Sequence, residues 1–225
     1  MFGIIGAMDV EIEAVKNKVS QPKITVFAGC EFVCGTINGA EVCVAKCNPG
    51  KVNAALCTQA MIDRFGVSAI INLGVACSLS RDITIKNIVV ATEVCQYDFD
   101  TSALGEPKGM VYNNMTKFPT DKALSNALFA AAEACGATVH RGCIASGDTF
   151  IASQALKDEI VRDFGAVCGE MEGGAIGQVC YVNGVPFAVL RSISDGGDGE
   201  AHIDYPAFKE IAAAMSSEIL LHFFK

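Results

Sequence analysis

Nine short apolar runs alternate with six helical patterns along the chain, and no other feature restricts the fold as much. The runs are Phe2–Ala7, Thr25–Ala28, Phe32–Ile37, Glu41–Lys46, Ala69–Leu73, Asn87–Cys95, Thr138–Ala145, Ala166–Cys168 and Pro186–Ile193. They are too short and too rich in β-branched residues for helices. Helical periodicity covers Val10–Lys18, Val52–Phe65, Asp121–Cys135, Gln154–Phe164, Met171–Asn183 and Tyr205–Phe224. Asp121 is an N-cap candidate and Gly136 follows the end of its helix, as capping preferences require. Asn38-Gly39 separates two strands and reads as a two-residue hairpin turn with both central residues at positive φ. Alternation with one antiparallel hairpin predicts an α/β fold, a mixed central β-sheet flanked by helices on both faces. No Pro-, Ser- or charge-rich linker divides residues 1–225, so a single domain is expected, and 51% hydrophobic residues suffice for its core.

In an open α/β sheet, ligands sit outside the carboxyl ends of strands. Three such ends carry acids. Gly3-Ile4-Ile5-Gly6-Ala7-Met8-Asp9-Val10-Glu11 turns a strand into a helix and puts Glu11 in the first helical turn. The helix dipole there favours a carboxylate, which suits a general base, although an acid placed only for helix stability reads the same way. Two glycines without the third of GxGxxG make a poor dinucleotide site. Ala166-Val167-Cys168-Gly169-Glu170-Met171-Glu172-Gly173-Gly174 runs from a buried strand into two acids. In extended chain, Glu170 and Glu172 point to one side, where a carboxylate could hold vicinal sugar hydroxyls, and Met171 to the other. Leu190-Arg191-Ser192-Ile193-Ser194-Asp195-Gly196-Gly197 ends a buried strand in an Arg–Asp pair, which either faces a pocket or merely closes a loop. Ser146-Gly147-Asp148-Thr149-Phe150-Ile151 presents an aromatic ring at another strand exit, positioned for core packing or for stacking on a heterocycle.

A formal charge of −8 without a Lys/Arg cluster argues against nucleic acid or an anionic membrane as partner. No apolar run approaches the ~20 residues of a membrane span, and the N-terminus has no basic leader, so an intracellular, cytoplasmic protein is expected. The eleven cysteines are scattered, with no CxxC pair or zinc spacing, and read mainly as small apolar filler with no metal site. If Asn38-Gly39 is the hairpin turn, facing residues have numbers summing to 77, so Cys34 opposes Cys43 and Cys30 opposes Cys47 on one face. The rungs would lie ~13 Å apart, too far for one zinc ion, and reduced thiols are expected.

These motifs, in order along nearly the whole chain and with Asn38-Gly39 and Gly50-Lys51-Val52-Asn53-Ala54, resemble the 5′-methylthioadenosine/S-adenosylhomocysteine nucleosidases. The resemblance implies the nucleoside phosphorylase fold, a homodimer, and cofactor-free hydrolysis of the N-glycosidic bond of adenine thionucleosides. Carried over by position, Glu11 would activate water, Asp195 would protonate purine N7, Glu172 would hold the ribose hydroxyls, and Arg191 would help bind the water. Phe150 would stack on adenine while the Ile151 backbone reads its edge. Met8, Met171 and Tyr205 would line the sugar and its 5′-substituent, with Val75, Ala76, Glu170 and Ser194 completing the binding set. The neighbouring subunit would close the pocket with the segment around Thr101 to Leu104.

Two stretches depart from the family pattern. Leu73-Gly74-Val75-Ala76-Cys77-Ser78 has Val75 where the family has a serine near the attacking water, which bears on rate. Cys47-Asn48-Pro49 replaces a Ser/Thr-Gly-Ile stretch, which bears on the 5′-substituent. The expected alternatives are another purine nucleoside hydrolase or a phosphorylase on the same fold, or a nucleoside-binding relative without turnover. A phosphorylase needs clustered arginines for phosphate. Opposite pKa shifts are expected, with Glu11 ionised at its helix terminus and Asp195 raised by the other pocket acids.

Overall fold

A computed structural model describes residues 1–225 and places ten strands in one mixed sheet. The strands are β1 (Phe2–Gly6), β2 (Ser20–Phe27), β3 (Cys30–Ile37), β4 (Ala40–Lys46), β5 (Ala69–Ser78), β6 (Ile88–Gln96), β7 (Lys117–Pro119), β8 (Val139–Ser146), β9 (Ala166–Glu170) and β10 (Phe187–Asp195). The helices are α1 (Asp9–Lys16), α2 (Lys51–Phe65), α3 (Lys122–Ala134), α4 (Gln154–Phe164), α5 (Gly173–Asn183) and α6 (Ala201–Phe223). β5 pairs in parallel with β1 and β10, and its last two residues pair antiparallel with β9. Because β10 also pairs with β6, β6 with β8, and β8 with β9, these five strands close into a ring. From it β1, β4, β3 and β2 extend as an open sheet.

Alternation along the strands fills two cores. Ile70, Val189 and Ile193 face one cluster with Met61 of α2 and Ile176 of α5. Ile71, Leu73 and Leu190 face the other with Ile12 of α1, Leu128 of α3 and Leu220 of α6. The expected mixed sheet with helices on both faces is therefore observed, and full burial of side chains such as Leu73 and Leu190 stabilises it by roughly 1.5–3 kcal/mol each. No helix is long and apolar enough to cross a membrane.

Boundaries differ from the sequence reading where tertiary pairing overrides local signals. β5 runs through Gly74 to Ser78 because β10 and then β9 hold it laterally. β2 starts at Ser20 despite Pro22, which sits in a register break at the sheet edge where its missing N–H is tolerated. β7 is three residues long, and a 3₁₀ turn covers Ser102–Leu104; neither has a periodic signature. α6 begins at Ala201, ahead of Tyr205, and carries Pro206 inside it.

Candidate active site

The carboxyl ends of β1, β5, β8, β9 and β10 converge on a half-open cavity lined by 17 residues, nine of them hydrophobic. Of the residues singled out from sequence, Met8, Glu11, Val75, Ala76, Phe150, Ile151, Glu170, Met171, Glu172, Ser194, Asp195 and Tyr205 line it. Arg191 does not. It is wholly buried behind the wall, with Nη2 donating to Asn72 Oδ1 (2.6 Å), to Glu170 Oε2 and to Glu172 Oε2 (3.5 Å). Burial opposes its charge, but Glu170, Glu172 and Glu11 hold its pKa above the usual value. Through Nη2 Arg191 acts as an internal counter-ion to these acids, while its Nη1 meets only the Val75 carbonyl, at 3.5 Å, and its Nε has no partner, so two of its three nitrogens are not taken up by acids.

Glu11 stands in the first turn of α1, as expected. Oε2 accepts the amides of Ala7 (2.7 Å) and Met8 (2.9 Å), and Oε1 accepts that of Val75 (2.9 Å). Gly74 makes this possible: a Cβ there would lie 2.5 Å from Glu11 Oε1 and overlap Arg191 Nη1. Burial pushes the Glu11 pKa up against the pull of Arg191 and the three amides. The expected contrast with Asp195 is therefore absent. Both are raised, because desolvation outweighs the helix terminus. A base with a raised pKa is a stronger one near neutrality.

A bulge between Ile193 and Asp195 re-aims the end of β10 toward the cavity. Asp195 accepts from Ser194 Oγ (2.9 Å) and the Gly197 amide (3.0 Å). Burial raises its pKa, and the added like charges come from Asp198 and Asp204, not from Glu11 and Glu172 as expected. Glu172 sits at the N-cap position of α5 without a side-chain capping bond, and its pKa is pushed up to about 8 by burial and then by Glu170, with Arg191 and the Gly50 amide (3.0 Å to Oε1) pulling the other way. Extended alternation stops at Glu170, where β9 ends, so the turn into α5 brings Met171 to the same cavity as both acids. Glu170 is engaged by Arg191, Ser146 Oγ and the amides of Glu172 (3.0 Å) and Gly173 (2.8 Å).

Phe150 and Tyr205 meet edge-to-face at 5.5 Å, from the loop after β8 and from α6, and Tyr205 OH reaches Met8 Sδ (3.1 Å). Val75 packs its side chain against Ala212 and Ala213 of α6. The cavity wall also holds Ala7, Pro49, Cys77, Thr149 and Gly169, which lie within the sequence motifs but are not among the site residues read from them, and Asn72 stands behind it. Asn72 carries a signal of its own, a polar residue inside an apolar strand.

The phosphorylase superfamily model matches residues 1–225. A 5′-methylthioadenosine/S-adenosylhomocysteine nucleosidase of Halalkalibacterium halodurans is 40% identical over 221 residues, 98% of this chain and 96% of the relative. The crystal structure of the Neisseria meningitidis nucleosidase of that name, in complex with methylthio-immucillin-A, superposes with a TM-score of 0.95 at 33% identity, covering 99% and 97% of the two chains. A futalosine hydrolase of Helicobacter pylori superposes with a TM-score of 0.94 at 35% identity, covering 99% and 96%.

Proposed function

The chain belongs to the phosphorylase superfamily and, within it, to the 5′-methylthioadenosine/S-adenosylhomocysteine nucleosidases, and from that premise we propose that it hydrolyses the N-glycosidic bond of these two thionucleosides to adenine and the thioribose. One observation carries the choice of hydrolysis over phosphorolysis. Four buried carboxylates, Glu11, Glu170, Glu172 and Asp195, line the cavity, and no lysine, arginine or histidine does. Phosphate entering beside these acids would meet only like charge and no cation to bind it.

In this reading Glu11 takes a proton from water as its oxygen bonds to C1′ of an oxocarbenium-like sugar. The C1′–N9 bond breaks, and Asp195, its pKa raised by burial, serves as the acid that donates to N7 of the departing adenine. Glu172 accepts from the ribose hydroxyls, and Phe150 stacks on the base. Met171 packs on the sugar, and Met8 and Tyr205 meet the 5′-substituent. Arg191 holds Glu170 and Glu172 in place from behind. A homodimer whose neighbour closes the cavity is supported by apolar side chains exposed on α2 (Val52, Leu56), α5 (Val182) and the 3₁₀ turn (Leu104). This reading sets the activity in the cytoplasm, in methionine salvage.

Incubation with methylthioadenosine, with and without phosphate, tests the proposal. Free adenine and thioribose at equal rates in both are expected, and Asp195→Asn should stop release while keeping the fold. A strict phosphate requirement with a ribose 1-phosphate product would overturn it.

A further inference from the structure

The turn after β4 and the loop after β8 meet beside the cavity through a closed ring of bonds. The Lys51 amide donates to Asp148 Oδ1 (2.8 Å), the Asp148 amide donates to Asp98 Oδ2 (2.8 Å), and Lys51 Nζ returns to Asp98 Oδ1 (2.5 Å). None of the three residues lines the cavity. Lys51 and Asp148 each adjoin a residue that bears on it. Gly50, next to Lys51, donates its amide to Glu172 Oε1, and Asp148 opens the segment Thr149-Phe150-Ile151 of the cavity wall. Gly50 adopts φ 102, and a Cβ on it would stand 3.2 Å from Asp148 Oδ1, so the two segments touch at a site only glycine fits well. The side chains of Lys51 and Asp98 keep 17% and 24% of their accessible surface, whereas Asp148 is exposed.

We infer that Asp98, Lys51 and Asp148 are positioning residues that set the purine-stacking loop in fixed register with the ribose-binding carboxylate. The inference rests on the nucleosidase reading. Lys51 and the first amides of α2 balance two carboxylates, so both loops are drawn to one point. Base and sugar are bound by different strand ends, and the bond to be broken lies between them. Misplacement by about 1 Å costs on the order of 10²-fold in rate. Hydrogen bonds to the ribose hydroxyls strengthen in the transition state, so the loss falls on kcat more than on KM.

Asp148→Ala removes the acceptor, whereas Asp148→Asn keeps an acceptor oxygen and removes only charge. With methylthioadenosine, Asp148→Ala should lose about 10–100-fold in kcat with KM within roughly threefold, and Asp148→Asn should recover most of the loss. Amide hydrogen exchange in the ligand-free protein gives a second readout. Gly50 and Lys51 should exchange faster in Asp148→Ala and at the parent rate in Asp148→Asn. If the parent releases no adenine, the nucleosidase reading fails while exchange still decides whether the ring holds the turn. Should Asp148→Ala not fold, Lys51→Met cuts only the Nζ arm and should show a smaller loss of the same kind. Parent-like kcat, or unchanged protection of the two amides, in the folded variant would overturn the inference.

Discussion

Val75 stands where the family pattern has serine, and its two halves act differently. Its amide donates to Glu11 Oε1, a contact that survives any side chain, while its side chain lines the cavity and packs on Ala212 and Ala213. The departure therefore leaves the proposed base in place and removes only a hydroxyl beside the attacking water. A net hydrogen bond of about 0.5–1.5 kcal/mol, made in the transition state, corresponds to roughly 2–10-fold in rate. Val75→Thr keeps the shape that packs on α6, so it should raise single-turnover hydrolysis of methylthioadenosine by that factor with little change in affinity. A stable threonine variant that is no faster would show that this side chain does not meet the water. Gly74 beside it has no such freedom, since any Cβ there would part Glu11 from Arg191.

The β3–β4 hairpin shows what a local signal can specify. Asn38 and Gly39 take φ 48 and φ 86, and every paired number sums to 77 from Ile37↔Ala40 to Phe32↔Ala45, including Cys34↔Cys43. Their sulfurs lie 3.0 Å apart. The second rung does not form: the β3–β4 ladder ends at Phe32, Cys30 pairs with Phe27 of β2, and its side chain packs in the same core cluster as Cys57 of α2. Rungs alternate outward from the hydrogen-bonded closing pair Ile37–Ala40, so Cys34–Cys43, three rungs out, is a close, non-hydrogen-bonded one with Cα atoms ~4.5 Å apart, within disulfide range. A small disulfide oxidant should therefore link Cys34 to Cys43, each thiol losing a hydrogen as the oxidant is reduced to two thiols. Closing so short a loop stabilises by about 2–3 kcal/mol, or a thermal midpoint higher by ~5–10 °C. Non-reducing peptide mapping checks the linkage, and oxidation that bypasses this pair would refute the geometry. Turns, caps and alternation were legible because each is decided by a few neighbouring residues. The ring closure of β5 on β9, the bulge at Ser194 and the retreat of Arg191 from the cavity were not, because each depends on a strand far away in sequence.

Gathering buried acids behind one strand-end cavity has a cost that the whole molecule carries. Glu172 has its folded pKa pushed up to about 8 from an ordinary 4.5, and Glu11 and Asp195 are raised as well. A raised acid binds its proton more tightly in the folded chain than in the unfolded one. Stability is therefore full below the ordinary carboxylate range and is lost as pH rises, for Glu172 between about 4.5 and about 8. The span corresponds to at most on the order of 4–5 kcal/mol, with Glu11 and Asp195 adding loss of the same sign. The exposed acids Asp100 and Asp163, whose pKa values are lowered by neighbouring hydrogen bonds and cations, act in the opposite sense, and only at pH below the ordinary carboxylate value. The net charge of −8 makes general self-repulsion a rival cause for a decline toward alkaline pH. Glu172→Gln separates the two, because it removes the titrating group while changing the overall charge by at most one. Denaturant midpoints of the parent should fall steadily from pH 5 to pH 8.5, and those of Glu172→Gln should fall much less. A saturating ligand that donates two hydroxyls to the ionised Glu172 should restore the parent at pH 8. A parent curve that is flat or rises over this range, or a glutamine variant that declines as steeply, would mean that Glu172 is not the buried acid setting the stability of the fold.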